Sequence, residues 1–145
     1  MRISDHISFY EAIRSNVANR HGIDNIPTPN NLKAMQNLAE NVFEPVRARD
    51  GKPRRINSFF RNGKVNDLVG GSVSSQHVKG EALDFVGSKE DFWFIVDNLD
   101  FDQIIWEYGD DNNPSWIHVS LKLNGTNRKQ VLRKRYQQSY EILTK

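Results

Sequence analysis

Hydrophobic residues in the first third of the chain recur every three to four positions, the spacing of one helix face. This spacing predicts a first helix that begins at Ser4 or Asp5 and ends near Gly22, because glycine suits the position after a helix. A second amphipathic helix is predicted over Leu32–Phe43, with a turn at Asp50-Gly51. The N-terminal part is therefore expected to be helical.

The rest of the chain consists mainly of short apolar runs with strand character, separated by polar turns. Ser88 and Asp91 predict the capping box of a third helix, and residues 66–69 predict a short helical turn. The tail beyond Asn127 fits either a closing hairpin or one helix, and we favour the hairpin. Strands are predicted over residues 54–60, 82–86, 103–108 and 115–123. Helices followed by strands indicate an α+β fold with an antiparallel sheet.

Composition narrows the possible functions. A chain of 145 residues with 37% hydrophobic content is long enough for one domain, expected over residues 1–145. It has no cysteine, which excludes disulfides, thiolate zinc sites and cysteine nucleophiles. The net charge of +2 argues against nucleic acid as a partner, despite local basic runs. No apolar stretch resembles a signal peptide or membrane span, so we expect no membrane contacts and a location in the cytoplasm of the producing cell. We also expect a monomer.

Two histidines and one aspartate have the character of metal ligands. His77 enters a turn, Gly80 allows the chain to bend, and Asp84 lies in a strand-like run, so an imidazole and a carboxylate are expected side by side. His118 lies in a later apolar run and would complete a three-ligand zinc site. The alternatives are a loop histidine, a capping acid and a hydrogen-bonded strand histidine.

The pattern Ser-x-His-x-x-Gly-x-Ala-x-Asp over residues 75–84, followed by Trp116-x-His118, resembles the M15 zinc peptidases. That family includes D-Ala-D-Ala carboxypeptidases and phage endolysins, and residues 58–61, Ser-Phe-Phe-Arg, are similar to its segment before the first ligand. The likeness is to a subfamily of short chains within this group. It implies a Hedgehog/DD-peptidase-like fold in which N-terminal helices pack on a small antiparallel sheet that carries the zinc site.

The resemblance also implies individual roles. His77, Asp84 and His118 would bind Zn²⁺, and a water on the metal would be the nucleophile. Arg61 would bind substrate and stabilise the oxyanion, because a guanidinium is always charged and binds carboxylates and alkoxides with two N–H groups. Ser75 would hydrogen-bond the carboxylate of the substrate.

The general base departs from the family pattern. Better-known members have a glutamate three residues before the last ligand, whereas this chain has Ser115, which cannot take a proton at neutral pH. Glu107 is the best substitute, since its predicted strand pairs with that of the last ligand. A one-residue slip would turn it to the other face. Asp110 and Asp111 are alternatives, followed by His6.

The leading hypothesis is therefore a zinc-dependent metallopeptidase that hydrolyses peptidoglycan stem peptides. It would act as a D-Ala-D-Ala carboxypeptidase or as an endopeptidase of the endolysin type, reaching the cell wall after release. The missing glutamate motivates an alternative, a catalytically inactive zinc-containing module that binds the wall or builds a phage particle.

Overall fold

The computed structural model describes residues 1–145. The chain contains eight strands and six α-helices, together with one π-helical and one 3₁₀ segment. In order they are β1 (Arg2–Ser4), β2 (Ile7–Ser8), α1 (Phe9–Ile13), α2 (Asn16–His21), α3 (Pro29–Leu38), the π segment Ala39–Phe43, α4 (Glu44–Asp50), β3 (Ile56–Ser58), α5 (Gly63–Leu68), the 3₁₀ turn Gln76–Lys79, β4 (Ala82–Phe85), α6 (Lys89–Asn98), β5 (Gln103–Glu107), β6 (Trp116–Ser120), β7 (Gln130–Lys134) and β8 (Glu141–Ile142). None of these helices is both long and apolar enough to span a membrane.

The N-terminal segment is not the single helix that the hydrophobic spacing predicts. β1 and β2 form a two-stranded ribbon, and two short helices follow. Ser8 caps α1 and Ser15 caps α2, each accepting a hydrogen bond from a backbone N–H three residues ahead. Arg14 between them has extended backbone angles. The serine side chains bond the backbone in place of a continuing helical turn, so the helix is interrupted at Arg14. Gly22 ends α2 in the left-handed conformation as predicted.

The central helical segment runs from Pro29 to Asp50 and is longer than predicted. Its middle widens into the π segment, where the Glu44 amide donates to the Ala39 carbonyl five residues back. Pro45 follows and has no amide hydrogen, so a wider turn relieves the clash of its ring with the preceding turn. Gly51 ends the segment in the left-handed conformation, which confirms the predicted turn.

The main sheet has six strands in the order β3-β4-β6-β5-β7-β8. The predicted C-terminal hairpin is confirmed, because β7 pairs antiparallel with β8. The prediction of an antiparallel sheet is wrong at one pair of strands, since β7 lies parallel to β5. Residues 121–129 connect β6 to β7 on the other side of β5, and because β6 runs antiparallel to β5, the strand after this connection runs parallel to β5. The fold is α+β with a mixed sheet.

The two faces of the sheet differ in character. Alternate side chains on β4, β5 and β6 are buried on one face in a cluster of 22 residues that includes helix side chains: Leu83, Phe85, Ile104, Trp106, Ile117 and Val119 belong to it. The intervening positions carry Asp84, Glu107 and His118, which line an open cleft. The helical layer therefore supports the sheet from behind and leaves its polar face accessible.

A buried ionic network ties α6 to the rest of the helical layer. Ser88 and Asp91 form the predicted capping box, which is confirmed. The Asp91 carboxylate also accepts hydrogen bonds from Arg54 at 3.0 and 2.8 Å and from Arg49. Burial alone would raise the pKa of Asp91, but the hydrogen bonds from Arg54 and the backbone of Ser88 outweigh it and lower that pKa.

Candidate metal centre and cleft

His77 is held rigidly by the 3₁₀ turn that contains it. Ser75 caps this turn, with its hydroxyl oxygen accepting from the His77 amide at 3.3 Å. Gly80 ends the turn with φ of 80°, and a Cβ at this position would lie 2.6 Å from the Asn31 carbonyl oxygen, so only glycine fits. The His77 Nδ1 atom lies 2.7 Å from the Phe59 carbonyl and donates to it, since a carbonyl can only accept. The other ring nitrogen, Nε2, is buried without a hydrogen-bond partner.

Asp84 and His118 lie directly opposite each other on β4 and β6. The Asp84 Oδ1 atom is 2.8 Å from His118 Nδ1, and its Oδ2 atom is 3.3 Å from His77 Nε2. The two imidazole rings meet edge to face with centroids 5.3 Å apart. One potential ligand atom from each residue lies within 4.8 Å of the other two, so the three side chains could hold one metal ion.

The protonation states of this group suit a cation. Burial lowers the pKa of His77, which keeps its imidazole neutral. Burial would raise the pKa of Asp84, but the adjacent His77 and His118 side chains outweigh it, and the carboxylate stays ionised well below its ordinary range. A neutral imidazole whose buried Nε2 has no partner beside an ionised carboxylate fits a site with two nitrogen ligands and one oxygen ligand. Zinc accepts such ligands.

Arg61 is fixed beside the group. Its Nη2 atom lies 3.6 Å from Asp84 Oδ2, while Nε donates to the Ser58 hydroxyl at 3.1 Å and Nη1 to the Asn66 side-chain oxygen at 3.2 Å. A Cβ at Gly71 would overlap that Asn66 oxygen, so the glycine makes this contact possible. Burial lowers the pKa of Arg61 and the charge of Asp84 opposes that shift. The guanidinium is held in place before any substrate arrives.

Glu107 lies on the cleft face of the sheet. In the register of β5 and β6 it is opposite Trp116, and Ile105 is opposite His118. The alternation of side chains therefore points Glu107 to the same side as His118. It is only 8% exposed, and burial raises its pKa to about 7, with His118 lowering and Asp84 raising that value.

The other candidate bases lie elsewhere. Asp110 accepts the amides of Asn112 and Asn113 in the β5–β6 turn. Asp111 is exposed and pairs with Arg133. His6 pairs with Glu44 at 2.6 Å. Among the carboxylates and histidines considered as bases, only Glu107 lines the cleft.

The cleft has a volume of about 950 Å³ and a mainly polar lining. It brings together the proposed metal ligands, the preferred base and the two substrate-binding candidates: His77, Asp84, His118, Glu107, Arg61 and Ser75. Ser75 is half-buried there, and because its oxygen accepts from a backbone amide, its hydroxyl hydrogen is free to point to a ligand.

Tyr140, which sequence reasoning missed, also lines the cleft. It stands just before β8, and its ring lies 5.6 Å from the Lys134 ammonium. Burial and the nearby Glu107 charge raise the pKa of Tyr140, so its hydroxyl stays protonated at neutral pH. No local pattern marks this tyrosine, because it reaches the cleft only through the parallel pairing of β7 with β5.

A family model described as Peptidase M15 matches residues 5–120, which is most of the chain and includes every residue of the His77, Asp84 and His118 group. The C-terminal hairpin lies outside the matched range. No curated protein matches the chain.

Proposed function

This chain belongs to the Peptidase M15 family, and we propose that it is a zinc-dependent peptidase that hydrolyses peptidoglycan stem peptides. The family supports a peptidase, and the observation that carries the metal is the buried, unpartnered Nε2 atom of His77 facing the Asp84 carboxylate. His77, Asp84 and His118 are the proposed ligands. When bound, zinc supplies a Lewis acid that polarises a peptide carbonyl and acidifies water.

Glu107 is the proposed general base. A carboxylate with a pKa of about 7 can take a proton at neutral pH and pass it on, which is the requirement for general acid–base catalysis. No hydrogen bond within the chain occupies the Glu107 carboxylate oxygens, so they are free to receive the proton of the attacking water. The same oxygens would then hand that proton to the leaving amine.

Arg61 and Ser75 are the proposed substrate-binding residues. The Arg61 guanidinium, already oriented by Ser58 and Asn66, offers charge to the carbonyl oxygen as it becomes negative. The Ser75 hydroxyl donates to a carboxylate or carbonyl of the peptide.

Tyr140 also belongs to the lining of the cleft. Its hydroxyl is a hydrogen-bond donor on the Glu107 side of the cleft, where a carbonyl of the bound peptide can accept from it. We assign it to substrate binding.

Two measurements on the purified protein test this function. Metal analysis without chelator should find close to one equivalent of zinc in the wild type and loss of zinc in His118→Ala, because two ligands rarely hold zinc tightly. Less than half an equivalent, unchanged in His77→Ala, would end the zinc assignment.

Mass spectrometry of digested muropeptides should then identify the bond that is cut. Loss of a terminal residue would indicate a carboxypeptidase, and cleavage of an internal peptide bond, which releases a fragment of several residues, would indicate an endopeptidase. Zinc binding without any product would instead support the inactive wall-binding module that Ser115 suggests.

A further inference from the structure

A second cavity, of about 480 Å³, opens beside the cleft and shares Arg61 with it. Its lining joins the break between α1 and α2 to β3 and α5. Three arginines line it, Arg14, Arg55 and Arg61, and no aspartate or glutamate does. The cavity is therefore a concave surface with a concentrated positive charge.

The charges of Arg14 and Arg55 are not used by the fold. Neither side chain forms an ion pair within 4.0 Å, although the chain makes such pairs at Arg49, Arg54, Arg128, Arg133 and Arg135. Arg14 donates one hydrogen bond to the Ile56 carbonyl at 3.2 Å, which holds its guanidinium against β3. Arg55 is exposed and makes no side-chain hydrogen bond. Both groups keep free N–H donors in the fork arrangement that matches a carboxylate.

We propose that this cavity is a subsite for a free carboxylate of the substrate peptide, bound by Arg14 and Arg55 on the far side of Arg61 from the metal ligands. The inference rests on the proposed function, since it continues the same substrate path. Stem peptides carry carboxylates beside their peptide bonds, at the α-carboxyl of an isoglutamyl residue for instance. Such a peptide, held at Arg61 near its scissile bond, would extend its next charged group into the cavity. The enzyme would then prefer stem peptides with a free carboxyl group over amidated ones.

The test compares two synthetic stem peptides, one with a free isoglutamyl α-carboxyl group and one with the corresponding amide. The wild type should hydrolyse the free acid with the higher kcat/KM. Arg55→Gln should lower kcat/KM for the acid about 3- to 10-fold, mainly through KM, and change the amide less than about 2-fold. Arg14→Gln should act in the same direction, and about 0.5 M salt should reduce the difference in the wild type.

Arg20→Gln is the matched control, because Arg20 is an exposed arginine of α2 that does not line the cavity. It should leave both peptides unchanged. Since Arg14 also bonds the backbone, thermal unfolding of each variant separates a folding defect from lost binding, and Arg55→Gln carries the test if Arg14→Gln is unstable.

Equal hydrolysis of the two peptides by the wild type, or equal losses for both peptides in Arg55→Gln, would overturn the subsite. A phosphodiester of a wall polymer is another anion that two arginines can bind. If the variants lose only binding to phosphate-bearing wall fragments and keep wild-type kinetics on the free acid, the substrate carboxylate is wrong. A wild type that cuts neither peptide contradicts the peptidase function itself, so the two failures are distinguishable.

Discussion

Glu107 is the last residue of β5, lines the cleft and is only 8% exposed. The family pattern places a glutamate elsewhere, at the position that Ser115 occupies here. The β5–β6 register allows Glu107 to replace it from the neighbouring strand, because both strands present that face to the cleft.

The first prediction concerns the rate. Glu107→Gln keeps the shape of the side chain and removes no proposed ligand, so zinc content and the melting temperature should stay near wild type. Turnover should fall about 10²- to 10⁴-fold, the usual contribution of a general base. The acid limb of the pH–rate profile should also vanish in this variant. Asp110→Asn, outside the cleft, is the control and should keep the wild-type rate. A near-native rate in Glu107→Gln would exclude this carboxylate as the base.

The second prediction concerns stability and pH in the metal-free protein. Burial raises the pKa of Glu107 from 4.5 to about 7, so between these values the folded state binds more protons than the unfolded state. The free energy of unfolding therefore falls as pH rises from 4.5 towards 7, by on the order of 1–3 kcal/mol from this group. In Glu107→Gln this part of the pH dependence should be absent. Urea unfolding at about pH 5 and pH 8 in the presence of chelator measures the difference, and parallel curves for the two proteins would contradict it.

At the scale of elements, the C-terminal hairpin has two attachments to the site. β7 lies beside β5 with Lys134 opposite Glu107, and the segment before β8 brings Tyr140 to the cleft wall. The hairpin follows the part of the chain that the family model matches, so this wall of the cleft lies outside the matched range.

The third prediction tests that wall. Tyr140→Phe removes only a hydroxyl group, so the fold and zinc content should not change. A single hydrogen bond to substrate contributes about 0.5–1.5 kcal/mol, which corresponds to a fall in kcat/KM of roughly 2- to 13-fold. Tyr136→Phe in the same hairpin is the control, since Tyr136 is 77% exposed and does not line the cleft. Equal kinetics for the two variants would remove Tyr140 from substrate binding.

For the whole molecule, the cleft face depends on a helical layer that packs behind the sheet. Asp91 is 1% exposed and joins the start of α6 to Arg49 and Arg54, so it connects two parts of that layer. A carboxylate in this position both caps a helix and neutralises a buried cation.

The fourth prediction follows from this connection. Asp91→Ala should lower the free energy of unfolding by about 1–3 kcal/mol, because the nearly buried Arg54 guanidinium loses a hydrogen-bonded partner but keeps its ion pair with Asp50. Glu90→Ala, at an exposed position in the same helical turn, should cost less than about 1 kcal/mol. Urea denaturation of both variants measures the difference, and similar losses would show that the network contributes little.

The sequence by itself determined the features that short-range chemistry controls. The Ser88 and Asp91 capping box, the left-handed glycines Gly22 and Gly51, and the strands around Asp84 and His118 all follow from neighbouring residues. The spacing of the metal-ligand candidates is also a local pattern, and it resembles that of the M15 peptidases.

Only the tertiary structure decided what depends on pairing between distant segments. The β5–β6 register chose the cleft face for Glu107, since a one-residue slip would have reversed it. The parallel pairing of β7 with β5 brought Tyr140 to the cleft, and the packing of α1, β3 and α5 placed Arg14, Arg55 and Arg61 around one cavity. Local sequence carries no information about these partners, because the free energy that selects them comes from burying many side chains at once.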